Sequence, residues 1–312
     1  MPSPFKPSAN PGILHHYLPR LIAFEHSPTP PPSPPSHLLW IGGLGDSLHT
    51  VPYVHRLAHS LPPTWRLTEV QLSSTRDGWG LSSLSKDADE LAACISYLRA
   101  ARAAPKIALM GHSTGCQDIM YYLTRGRHAE RGRVEGAVLQ APVSDREGLV
   151  DDLPEGVYEG LNELAKGWVA EGRGEDVLPR ERVRPFVKAP VTARRWLSLA
   201  SPGKDGEDDF FSSDLTDGQL RGSFGVVGGK KVPLLILFSG SDEHVPAKVD
   251  KKALVERWTG FVEREGGIVD GESAIVKEAT HNMARNEDGV VDEAIGRVAR
   301  FLENIDKQES RL

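Results

Sequence analysis

The chain has 312 residues, enough to bury a large core as one domain or as a core with a lid. Its composition is that of an ordinary globular protein, 39% hydrophobic and 26% charged. A formal net charge of −6 leaves no general basic footprint and argues against nucleic acid as the main partner. No run of residues is long enough to span a bilayer, so no membrane partner is expected.

The first residues, Met1-Pro-Ser-Pro-Phe-Lys-Pro, contain no apolar segment of signal-peptide type. The two cysteines, Cys94 and Cys116, fall in predicted helices and offer no disulfide framework. Both features point to a reduced, cytoplasmic protein. Eleven histidines are present, yet neither H-E-x-x-H nor paired C-x-x-C spacing occurs, so no metal site and no cofactor are expected.

Residues 13–26 read as one or two early strands. Residues 27–36, Ser-Pro-Thr-Pro-Pro-Pro-Ser-Pro-Pro-Ser, cannot enter a sheet interior, because proline lacks the backbone donor; they form a Pro-rich connector. His37-Leu-Leu-Trp-Ile41 is the next strand and runs into Gly42-Gly43-Leu44-Gly45-Asp46. A dinucleotide fingerprint would need a third glycine where Leu48 stands. The competing reading is a turn that offers the Leu44 N–H to an oxyanion.

Trp65 to Leu72 is a strand. It is followed by the loop Ser73-Ser-Thr-Arg-Asp-Gly-Trp-Gly80, on the strand's C-terminal side, where open α/β sheets carry their ligands. Trp79 is thus a candidate pocket residue, with plain packing the alternative. Ala88, Leu91, Ala92, Ile95 and Leu98 form a helical apolar stripe.

Ile107 to Met110 then reads as a buried strand, followed by Gly111-His112-Ser113-Thr114-Gly115 and a helix marked by Ile119, Met120, Tyr122 and Leu123. This strand–turn–helix around G-x-S-x-G is a nucleophile elbow. Gly111 and Gly115 stand where strand and helix pass too closely for a Cβ. The Thr114 N–H, at the helix N-terminus, is the second oxyanion donor. His112 flanks the serine and is a candidate for shaping the pocket.

Val138 to Pro142 is another strand. Residues 149–231 then break the alternation, with helical pieces near 156–171 and 192–199 in a Gly-, Asp- and Ser-rich remainder. An insertion at this place reads as a lid between core segments 1–148 and 232–312. Gly229-Lys230 is not a P-loop, since Phe224 and Lys231 occupy obligatory positions. The core resumes at Val232-Pro-Leu-Leu-Ile-Leu-Phe238. Its exit is Ser239-Gly-Ser-Asp-Glu-His-Val-Pro246. A last strand near 273–278 precedes Ala279-Thr-His-Asn-Met283. A final helix puts Val291, Ala294, Ile295, Val298, Phe301 and Leu302 on one face.

A serine hydroxyl needs a base, and the base an orienting acid. Ser113, Asp242 and His281 occur in the order nucleophile, acid, base, each just past a predicted strand. Asp145 is the rival acid. His244 is the rival base, poorly placed only two residues from Asp242. The chemistry is hydrolysis of a carboxylic ester through an acyl-enzyme.

With these motifs assembled, the chain resembles the fungal and plant α/β-hydrolase family that includes the intracellular siderophore esterase acting on fusarinine C-type compounds. The stretches that carry the resemblance are 42–53, 73–84, 111–115, 140–147, 197–200 with 211–215, and 240–246. It implies an α/β-hydrolase fold, a mostly parallel central sheet flanked by helices with an inserted lid. It also implies a cytosolic serine esterase for ester-linked hydroxamate siderophores, whose cleavage helps release iron. On the family pattern the nucleophile, acid and base again fall on Ser113, Asp242 and His281. The readings kept beside it are an esterase, lipase or thioesterase for another acyl substrate, and a non-catalytic binding protein on the same fold.

Overall fold

The computed structural model describes residues 9–27, 34–184 and 187–309. Most of the expected Pro-rich connector, residues 28–33, lies outside the described residues. The strands are β1 (Gly12–Leu18), β2 (Leu21–His26), β3 (Ser36–Ile41), β4 (Trp65–Val70), β5 (Ile107–His112), β6 (Gly136–Gln140), β7 (Leu234–Ser239) and β8 (Ala274–Val276). They form one eight-stranded sheet in the order β1-β2-β4-β3-β5-β6-β7-β8. The β1–β2 and β2–β4 pairs are antiparallel and all others parallel, as expected of a mostly parallel sheet.

The central strands are apolar on both faces because helices cover both faces. Along β5, Ile107 and Leu109 point to one side and Ala108 and Met110 to the other. The second face is covered by α1 (Tyr53–Ser60) and, from the far end of the chain, by the long C-terminal helix Asp288–Glu309. That helix buries Val291, Ala294, Ile295, Val298, Phe301 and Leu302, the stripe its periodicity predicts. Fully burying a side chain such as Phe301 or Leu302 stabilises the fold by about 1.5–3 kcal/mol. The first face packs against α2 (Leu84–Ala101) and α3 (Thr114–Thr124). The loop expected at 73–80 holds a short 3₁₀ helix, Arg76–Leu81.

The insertion between β6 and β7 divides in two. Its first part contains α4 (Asp145–Asp152), α5 (Val157–Ala170), α6 (Arg180–Val183) and α7 (Ala193–Ala200). From α5 onward these elements share a hydrophobic cluster of their own with Trp79, built on Tyr158, Leu161, Trp196 and Leu199. The second part returns to the main core: Phe210, Phe211, Leu215, Leu220, Phe224 and Val227 pack with α10 (Lys251–Arg264). This part includes α8 (Asp217–Leu220) and α9 (Val226–Lys230), joined by a π turn at Arg221–Gly225; the C-terminal helix is α11. The rings of Phe224 and Trp258 stack at 5.3 Å. The stretch 210–230 therefore roofs the sheet rather than the cleft. Among the described residues no helix is long and apolar enough to cross a membrane.

Candidate active site

The parallel strands end along one edge of the sheet, and the candidate residues follow those ends. Ser113 sits between β5 and α3 with φ +54° and ψ −124°, in the left-handed half of backbone space that non-glycine residues rarely enter. The turn is tight because the strand and helix nearly touch. A Cβ on Gly111 would lie 2.3 Å from the backbone of Gly115, and one on Gly115 would lie 2.3 Å from the carbonyl of Ile41. The Ser113 N–H bonds to the Gln140 carbonyl at 3.1 Å and its own carbonyl accepts from Cys116 at 2.8 Å, so the main chain is held from both sides.

Asp242 follows β7 and is buried. Its Oδ1 accepts the His244 N–H at 3.0 Å and its Oδ2 accepts Nδ1–H of His281 at 2.9 Å. That bond fixes the tautomer of His281 and leaves Nε2 unprotonated, able to take a proton. The two loops are laced together by Ser241 N–H to the Ala279 carbonyl, 2.9 Å, and by His281 N–H to Glu243 Oε2, 2.9 Å. Asn286 closes the histidine loop, accepting from Thr280 N–H and Oγ1–H and donating to the Glu278 carbonyl.

One cleft of about 370 Å³ is lined by Ser113, His281, His112, His244, Asp145, Gly43, Leu44 and Asn282, among others. Ser113, His281 and the Leu44 loop are thus brought together. Asp242 supports His281 from behind. The Gly43 N–H is taken by Asp46 Oδ2 at 2.8 Å, so it is already engaged within its own turn, and Leu44 is the next residue along the cleft wall. The Leu44 side chain packs against the cluster of the inserted segment. The Thr114 N–H is the first of α3, a helix end whose amides lack intrahelical acceptors.

His112 is buried, and its Nδ1–H donates to Gln140 Oε1 at 2.6 Å. Burial, with the neighbouring His281, lowers its pKa to about 3, so it stays a neutral spacer stacked near Trp40. His244 lies nearer than its sequence position implies: its ring meets that of His281 edge-on at 4.6 Å. Asp145 also reaches the cleft, but its carboxylate accepts from Gln117 Nε2 at 2.9 Å instead of orienting His281. Burial, then the nearby Asp208 carboxylate, pushes its pKa up to about 7. Trp79 is not in this cleft. It is buried in the inserted segment's cluster and lines a second, smaller cavity with Leu44, Asp87, Thr114, Asp118 and Arg195.

Gln140 and Gly43 have site roles that the sequence did not single out. Gln140 Oε1 accepts from both His112 and Tyr53 Oη (2.9 Å), while its Nε2 donates to the His281 carbonyl at 3.2 Å. Since that carbonyl can only accept, it also fixes which end of the amide is nitrogen. A Cβ on Gly43 would sit 2.6 Å from Cβ of Ser113. The signal available was the Gly42-Gly43-x-x-Asp46 pattern, in which Asp46 closes the turn.

The family described as Protein of unknown function (DUF1749) matches residues 5–303. The chain is 39% identical to fusarinine C esterase sidJ of Aspergillus fumigatus over 322 residues, covering 89% of this chain and 91% of that protein. Among solved structures it is similar to siderophore hydrolase EstB from Aspergillus fumigatus, with TM-score 0.81, 36% identity, and 96% and 100% of the two chains covered. It is also similar to an alpha/beta hydrolase fold protein of unknown function, with TM-score 0.62 and 21% identity over 98% and 99% of the chains, a likeness of fold. The expected α/β-hydrolase fold is therefore correct, and the chain belongs to the DUF1749 family.

Proposed function

We propose that this protein is a serine hydrolase that cleaves carboxylic esters, with Ser113 as nucleophile, His281 as base and Asp242 as its orienting acid. The observation that carries this reading is the 2.9 Å Asp242–His281 bond, set in the same cleft as a serine on a left-handed elbow. Ser113 Oγ attacks the ester carbonyl while its proton passes to His281 Nε2. The resulting oxyanion is held by the N–H groups of Leu44 and Thr114. Collapse expels the alcohol, which takes the proton from His281. Water then enters, loses a proton to His281 and releases the acid, restoring Ser113.

The substrates are ester-linked hydroxamate siderophores of the fusarinine C type, cleaved to release iron. Similarity to the fusarinine C esterase and to the siderophore hydrolase supports this choice. The part of the insertion nearest the cleft acts as the lid, a role supported by the packing of Leu44 against it. The reaction takes place in the cytosol, which the two free, buried cysteines support.

The test is to incubate wild type and Ser113→Ala with a fusarinine C-type triester, ferric and iron-free, and to follow products by mass spectrometry beside a short-chain aryl ester. Cleavage of the triester by wild type alone is the expected result, with kcat for Ser113→Ala lower by about 10⁴–10⁶. Aryl ester turnover without triester cleavage would discard the siderophore and keep the esterase. A Ser113→Ala variant with more than about a tenth of wild-type activity would discard the mechanism.

A further inference from the structure

We infer that His26, His49 and Glu69 form a binding site for a divalent first-row transition-metal ion, separate from the ester-cleaving cleft and independent of that assignment. His26 ends β2, Glu69 lies near the end of β4 beside it, and His49 lies in the loop after β3. One donor atom from each lies within 4.8 Å of the other two. Glu69 Oε1 stands 2.7 Å from Nε2 of His26 and 3.5 Å from Nδ1 of His49. Donors bound to one tetrahedral ion at 2.0–2.2 Å stand about 3.3 Å apart, so these separations bracket what such an ion requires.

The surroundings are built around the three groups. Glu69 is fully buried and His26 nearly so, while His49 is exposed enough to admit an ion and leave a position for water. Glu69 Oε2 is occupied by the His49 N–H at 2.9 Å, which aims Oε1 at the two imidazoles. His49 holds φ +60°, a left-handed backbone conformation that histidine adopts more readily than most residues. Phe24 packs edge-on against both rings, at 5.0 Å from His26 and 4.8 Å from His49.

At 3.5 Å the His49–Glu69 pair is too long for a good hydrogen bond. Nδ1 of His49 is otherwise met only by the Asn10 side-chain amide at 3.4 Å among the described residues. A metal ion supplies the positive charge that this convergence of basic atoms calls for. On binding, the proton on His26 Nε2 moves to Nδ1 or to solvent, and Asn10 gives way. Two imidazoles and one carboxylate favour Zn²⁺, Co²⁺, Ni²⁺ or Fe²⁺ over Mg²⁺ or Ca²⁺. The ion would also tie down the loop that carries Leu44, since Thr50, next to His49, donates to Asp46 Oδ1 at 3.2 Å.

The test is titration of the full chain, stripped with EDTA, with Zn²⁺ by calorimetry and with Co²⁺ by visible absorption. One equivalent is expected to bind, and bound Co²⁺ should give d–d bands in the visible. His49→Asn keeps a residue that tolerates the left-handed conformation and should weaken binding at least tenfold; Glu69→Gln should do the same. The double variant His55→Ala/His59→Ala removes a neighbouring exposed histidine pair (ring separation 4.3 Å) and should bind as wild type. Absence of stoichiometric binding to wild type would overturn the site. So would undiminished binding by His49→Asn, or loss confined to the His55/His59 variant. His49 is exposed, so its substitution tests the site even if Glu69→Gln fails to fold.

Discussion

Gly43 lies against Ser113 so closely that a methyl group on it would stand 2.6 Å from the serine Cβ and 3.1 Å from its Oγ. The neighbour it would meet is the strained elbow itself, whose main chain is held by the Gln140 carbonyl and the Cys116 N–H, and the His112 carbonyl would lie 3.2 Å from the same methyl group. Gly43→Ala must therefore shift either the serine or the Leu44 amide. A displacement of about 1 Å at such a site costs on the order of 10²-fold in rate. The expected outcome is a loss of at least that size in kcat/KM for an aryl ester. Overpacking should lower stability by about 1–3 kcal/mol in urea unfolding. Activity within threefold of wild type would show that the Gly42–Asp46 loop yields easily and does not hold an oxyanion donor in place.

In the proposed mechanism Asp242 acts by setting a tautomer. With a carboxylate at Oδ2, His281 keeps its proton on Nδ1 and presents a free Nε2. Asp242→Asn can place an amide N–H where that proton sits, which turns the ring's basic nitrogen away from Ser113. A fall in kcat of about 10⁴ is expected, with the fold preserved by circular dichroism. Asp145→Asn in parallel should leave most of the activity, because Asp145 is bonded to Gln117 rather than to His281. Reversed effects in the two variants would exchange the roles of the two aspartates.

Local patterns carried most of what was legible in the sequence. The elbow, the stripe on α2 and the stripe on α11 depend on residues within a few turns of one another, and their periodicity directly encodes which face is buried. The strand ends that bring Asp242 and His281 together were legible because each is marked by an apolar-to-polar switch. The features that were not legible are those made by contact between distant segments. Phe210, Phe211 and Phe224 sit in a Gly- and Ser-rich stretch that looks like lid, and only the packing of Phe211 and Phe224 on Trp258, with Phe210 against Phe211, shows them to be core. His26, His49 and Glu69 come from three elements with no fixed spacing. Trp79 was placed on the correct edge, but the inserted segment covers it, and its carbonyl serves Arg195 at 3.0 Å instead of facing the cleft.

Gln140 ties together two parts of the site whose rings also meet at 4.9 Å, the side chain of His112 and the main chain of His281. Its side chain is buried, so Gln140→Leu leaves the His112 N–H, the Tyr53 hydroxyl and the His281 carbonyl without this partner at once. Each orphaned buried group costs about 1–3 kcal/mol, partly relieved by local rearrangement. A total loss of about 2–4 kcal/mol in urea unfolding is expected. The loosened His281 loop should lower kcat by roughly tenfold and leave KM nearly unchanged, since the side chain faces away from the substrate space. Gln140→Glu, which keeps an acceptor for His112 but loses the donor to His281, separates the two contributions. A Gln140→Leu variant as stable as wild type would show that water or repacking replaces the whole network.

Asp145 provides a pH dependence whose sign follows from its environment. Burial and the neighbouring Asp208 raise its folded pKa from 3.8 to about 7. In the unfolded chain it titrates near its ordinary value, so between about pH 4 and pH 7 the folded state binds a proton that the unfolded state has released. Ionising Asp145 therefore costs stability progressively as pH rises through that window, and the cost is constant above it. Asp145→Asn preserves the shape and removes the charge. It should match wild type near pH 4 and gain stability steadily to pH 7. Above pH 7 it should stay ahead by about 1–3 kcal/mol, a value reduced from the full shift because the carboxylate borders the open cleft. The measurement is urea unfolding of both proteins from pH 4 to pH 8.5. A stability difference that does not change across that range would mean that Asp145 is ionised in the fold at every pH tested. It would then rank as a charged wall of the cleft rather than a neutral one at the acid end.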